Sequence, residues 1–253
     1  MLNIAQNTFK EIIRNKFLYV IVFFAIVFIA FSLALWKLTL GEDEKIIVDF
    51  GLSMIEVFGL IWVLFIWSQL LFKEIEGKTI FLILSKPIKR SEFILWKFAG
   101  FSFAIAIITL IQSLVFLAML LLKGIPVDSL ILYALLFTFF KFEISLAIVF
   151  FLSTFMSTIL TILVSVMIYI CAHSFTLLLD LVSRLQNKVA TLWVQLLQLL
   201  FPPFEALNIK DVIGMYKDFP PFYFPLNAFY SIVYLCIILF FTVLIFNKKT
   251  FER

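Results

Sequence analysis

The chain has 253 residues, 64% hydrophobic, 18% aromatic and only 14% charged, with a formal net charge of +4. This composition is far from that of a soluble globular domain and marks an all-α polytopic membrane protein, a single transmembrane domain over residues 1–253. No basic tract accounts for the positive charge, which reads as membrane orientation rather than nucleic-acid binding.

Residues 2–16 have a helical period, with Leu2, Ala5, Phe9, Ile12 and Ile13 on one face and Asn3, Gln6, Asn7, Lys10, Glu11 and Arg14 on the other. A basic amphipathic helix of this kind lies in the membrane interface, as an anchor or as a stiff elbow for a partner to push on. Six apolar runs follow, at 17–36, 47–71, 94–122, 129–152, 155–179 and 226–246. Each can cross a hydrocarbon core of about 30 Å at about 1.5 Å per helical residue. The first lacks a small-x-small cleavage site before Trp36 and is expected to remain as a span.

An even number of spans puts both termini on one side, and lysine and arginine decide which. The side with the termini and the 72–93 loop carries Lys10, Arg14, Lys16, Lys73, Lys78, Lys86, Lys89, Arg90, Lys97, Lys248, Lys249 and Arg253. The other side carries seven cations against nine acids, among them Glu42, Asp43, Glu44 and Asp49. Both termini are therefore expected in the cytoplasm, in a multi-pass protein of the cell's inner membrane.

The 72–93 loop is the main polar interruption of the first half. Its Gly77-Lys78-Thr79 matches the end of a phosphate-binding loop, but Phe72 stands where the first glycine is required and closes a membrane helix rather than a strand. The chain is not expected to hydrolyse a nucleotide. Read physically, Glu74 and Glu76 mark a charged helix exit, Gly77 can end the helix, and the apolar patch Ile80–Ser85 is framed by both charge signs. Ser91 and Glu92 are the expected N-cap and first-turn acid of the next span. Such a patch suits either a docking surface or an interfacial helix against lipid.

Gly124, Pro126 and Asp128 supply a turn that makes a hairpin of spans three and four. The link Ser153–Thr158 is uncharged, and its hydroxyls are expected to satisfy backbone or neighbouring helices. Cys171 and Cys236 read as small buried side chains. The outer segment 180–225 holds an expected interfacial helix over 181–200, with a seventh span as the alternative. Pro202-Pro203 stops it, and a short second helix is expected near 208–217.

Glu56, Lys141 and Glu143 lie inside spans, where an ionised group costs about 2.5–3.5 kcal/mol and needs a partner or a wet cavity. Lys141 and Glu143 point about 200° apart on a helix, so they do not pair with each other. One of them could pair with Glu56 or reach another subunit, as a structural inter-helix bridge or as a substrate contact. His173 and Asp180, near the outer end of span five, read as hydrogen-bonding groups in packing. No serine–histidine or metal-ligand constellation marks an intramembrane enzyme.

The stretch "FKEIEGKTIFLILSKPIKRSEFILWKFAG", residues 72–100, resembles the cytoplasmic signature of type 2 ABC exporter permeases. It has the acid-x-acid with a following glycine and threonine, an apolar run, Leu-Ser-x-Pro, a basic pair and Lys-x-x-Gly. "IAQNTFKEIIRNKFLYVIV" is similar to that family's elbow helix and first span, and "YICAHS" and "FPPFEALNIKD" to its fifth span and outer segment. Ala172 departs from the glycine expected there. The resemblance implies a homodimer of permeases joined to cytoplasmic ATP-binding cassette ATPases. It implies a coupling helix between spans two and three, framed by Glu74, Glu76, Gly77, Thr79, Leu84, Ser85, Pro87 and Arg90. Catalysis and cofactors would then belong to the separate ATPase, with none in this chain. Lipid and an extracytoplasmic protein are the further partners. The function implied is ATP-driven export. The alternatives are a membrane component that relays force to an outer protein, and an ion-coupled secondary transporter.

Overall fold

The structure, a computed structural model, describes residues 23, 26–28, 43–67, 89–185, 188–213 and 219–248. The expected helix at 2–16, most of the run 17–36 and residues 72–88 of the polar loop lie outside them. Helix α1 runs Asp43–Ile61 and passes into a π-helical turn, Trp62–Trp67. There follow α2 (Arg90–Lys123), α3 (Ser129–Ser153), α4 (Thr158–His173), α5 (Phe175–Arg184), α6 (Lys188–Leu200), a 3₁₀ turn at Lys210–Val212 and α7 (Tyr223–Lys248). No strand occurs among the described residues. Among the described residues, four helices, α1 to α3 and α7, are long and apolar enough to cross a membrane, and α4 with α5 makes a fifth if the bent pair is one span.

Helix α3 is the centre of the bundle. Lys141 to Phe150 are buried without interruption, and α1, α2, α4 and α7 all pack on it. A helix apolar on every side has no face to give to solvent and takes such a place. Of the apolar window of α3, 78% is buried, against 17% for α7, which lies at the rim. Two apolar cores stack along the bundle. One joins Trp62, Phe93, Phe101, Phe150 and Phe246, and the other, at the end of the Gly124–Asp128 turn, joins Phe28, Leu52, Phe116, Phe137 and Phe204.

Local chemistry sets the helix limits. Helix α2 begins two residues earlier than expected: Lys89 rather than Ser91 is the N-cap, because Glu92 Oε2 accepts its backbone N–H at 3.4 Å. The helix ends at Gly124, whose φ of 74° only glycine adopts without strain. There the amide of Ile125 donates to Leu120 O at 3.0 Å and that of Gly124 to Leu121 O at 3.1 Å, a Schellman closure. In the 153–158 link, Ser153 and Thr154 each donate their hydroxyl to a carbonyl three residues back at 2.7 Å. Within the spans, Thr138, Ser145 and Thr242 donate to the carbonyl four residues back, keeping hydroxyls satisfied without water.

Three expectations are corrected. The fifth run is not one helix over 155–179: it starts at Thr158 and bends by 46° at Ser174, whose hydroxyl donates to Ile170 O at 2.8 Å and loosens the ladder there. Cys171 and Cys236 are exposed on the outside of the bundle rather than buried. The short helix expected near 208–217 is a 3₁₀ turn of three residues, and residues 214–218 lie outside the described ones. Helix α6, with 13 residues, is too short to span and buries none of its side chains.

Candidate functional site

Between α1, α3 and α4 the segment after α6 folds back into the bundle. Phe204, Leu207, Ile209 and Ile213 are buried in the core at the Gly124–Asp128 end, so 204–213 is a plug rather than a surface strap. The plug brings Glu205 and Lys210 to the charged groups of the spans.

Glu56 is the hub. Its Oε1 accepts from Lys141 Nζ at 2.7 Å and from the Tyr169 hydroxyl, and its Oε2 accepts from Lys210 Nζ at 3.1 Å. His173 Nε2 stands 3.5 Å from Oε1, at the limit of hydrogen-bond reach, and His173 Nδ1 stands 3.6 Å from Glu205 Oε2. Periodicity explains the set on α4: Tyr169 and His173 are four residues apart and share one face. Their rings close on Phe204 at centroid distances of 5.1 and 5.9 Å, which gives the charges an aromatic wall. Glu56 and Lys141 are 5% and 1% exposed, so each charge is stripped of water and held by its partners alone.

Among the residues singled out from sequence, the structure joins Glu56 to Lys141 and leaves Glu143 apart. Glu143 is 5% exposed and faces Ser102 of α2, with its Oε1 unpartnered among the described residues. Arg90 is the first residue of α2, at the opposite end of that helix from Gly124. Glu74, Glu76, Gly77, Thr79, Leu84, Ser85 and Pro87 lie outside the described residues. Asp180 lies exposed on α5, away from the cluster.

Sequence reasoning missed Tyr169, Glu205 and Lys210 as members. The first had a signal in its spacing from His173; Lys210 had one as a lone cation in "EALNIKDVIG", whose apolar residues bury. Chemically the cluster offers no nucleophile with a base, and no group of three or more His, Cys, Asp and Glu is placed to hold a metal among the described residues. What it does is tie α1, α3, α4 and the 204–213 plug at one point.

In comparison with protein families, residues 2–251 match the model described as ABC-2 family transporter protein. A search of curated proteins finds no match.

Proposed function

As the chain belongs to the ABC-2 family of transporter proteins, we propose that it is the permease subunit of an ATP-driven exporter, working as a dimer with a separate cytoplasmic ATPase. The observation that carries this reading is the family match over nearly the whole chain. The loop 72–90 supplies the site of coupling: Glu74, Glu76, Gly77, Thr79, Leu84, Ser85, Pro87 and Arg90 frame an apolar patch that the ATPase covers. ATP-driven closure of the ATPase pair pushes that loop and tilts α1 and α2, which leave and enter it.

The Glu56 cluster then carries the movement outward. A tilt of α1 moves Glu56, and Lys210 of the plug moves with it or lets go. This supports a second reading, in which the same stroke is delivered to an extracytoplasmic protein instead of a substrate. Membership in an ATP-binding cassette family speaks against ion-coupled secondary transport. Reconstitution of the purified complex with its ATPase into liposomes separates the two readings. Export requires ATP-dependent movement of a substrate across the bilayer; ATP hydrolysis that responds to an outer protein with no flux supports force relay. Failure of any ATP-binding cassette ATPase to associate would overturn both.

A further inference from the structure

Beside the cluster, α6, the Pro202–Ala206 turn and the start of α7 enclose a cleft of about 210 Å³. Its polar lining is Gln195, Gln198, Glu205, Asn227 and Tyr230. The walls are fixed at two points: the Tyr234 hydroxyl donates to Leu200 O at 3.0 Å, and the Tyr223 hydroxyl to Ala206 O at 2.8 Å. Gln195 and Gln198 are three residues apart, on one face of a helix otherwise rich in leucine, and form no hydrogen bond with the described residues. Asn227 spends its amide N–H on Tyr223 O at 3.0 Å, leaving its amide oxygen as an acceptor.

The charge balance of the lining selects a ligand class. Glu205 is the one charged side chain among the described lining residues. Three amide oxygens and a phenol add acceptors, and the Tyr230 ring adds a face that attracts cations. The amides and the phenol can donate or accept and so serve either sign, but an anion would meet the Glu205 carboxylate as the charge in the wall. We propose that this cleft binds an organic cation through an ammonium or guanidinium group, held by Glu205 and ringed by the amides of Gln195, Gln198 and Asn227. The bound cation sits one side chain from the cluster, since Glu205 Oε2 also faces His173 Nδ1 at 3.6 Å. A free small molecule and an arginine or lysine side chain of an outer protein present the same chemistry.

Titration calorimetry on the full chain in detergent tests this without ATPase or transport, so its outcome is separate from that of the permease reading. The probes are agmatine, a blocked arginine tetrapeptide and, as an anion of similar size, glutarate. Agmatine is expected to saturate the protein one to one and glutarate not to bind. Glu205→Gln should weaken agmatine about tenfold or more, and Gln198→Leu several-fold, with both variants retaining the unfolding temperature of the parent to within a few degrees. Tighter binding of the tetrapeptide assigns the site to a protein side chain, and its exclusion assigns it to a free cation. The proposal is overturned by no saturation up to about 10 mM, by equal affinity for glutarate, or by a loss confined to Glu205→Gln while Gln198→Leu binds as the parent does.

Discussion

Glu56 accepts from two ammonium groups and a phenol inside an apolar bundle, and the consequence is an unequal dependence among its partners. Glu56→Gln leaves Lys141 buried near Lys210 with only the carboxylate of Glu205 as counter-charge, the costliest arrangement, at about 3–5 kcal/mol. Lys141→Met removes one cation but leaves the carboxylate with Lys210 and Tyr169, so it should cost less. Lys210, with 26% of its side chain exposed, can turn toward solvent and should matter least to stability. The double variant Glu56→Gln/Lys141→Met should be more stable than the sum of the two losses by about 0.5–3 kcal/mol, because it removes both charges together. Thermal unfolding in detergent measures the set; strictly additive losses would mean that the two groups are not coupled.

Among the elements, α1 and α3 pack closely at Gly59. A Cβ added at Gly59 would fall within the ring of Phe142, which is 1% exposed and must shift within the core to make room. Gly59→Ala should therefore cost about 1–3 kcal/mol by overpacking, and Phe142→Leu in the same chain should recover part of it. If Gly59→Ala alone unfolds at the temperature of the parent, the two helices are not held at this distance. Helices of this kind were legible from the sequence, because long apolar runs and the turn at Gly124 leave few alternatives. The break at Ser174 was not, because a single serine bond to Ile170 O inside an apolar run has no compositional mark. Charges within runs announced Glu56 and Lys141, since hydrocarbon demands a partner for each. The remainder of the cluster was hidden by distance along the chain: Tyr169 is 113 residues and Lys210 154 residues from Glu56, and only the packing of α4 and of the plug brings them to it.

At the scale of the whole molecule, the proposed coupling loop follows α1 in the chain while the plug packs on α1 near Glu56, and the proposed function makes their effects separable. Charge reversal at Glu74 and Glu76 should abolish co-purification of the ATPase, because the docking patch loses its acidic frame, while the chain still inserts and the Glu56 cluster stays whole. Lys210→Met should do the reverse. It leaves the loop untouched, so the ATPase stays bound, but it removes the charge that pins the 204–213 plug to α1. The plug keeps its buried Phe204, Leu207 and Ile209, so it should loosen rather than leave. Limited proteolysis from the outer face should then cut the outer segment several-fold faster, since local opening requires fewer contacts to break. ATP turnover by the intact complex should lose its response to the outer side while its basal rate persists. Loss of ATPase association in Lys210→Met, or unchanged cleavage of the outer segment, would show that Glu56 and Lys210 do not link loop and plug.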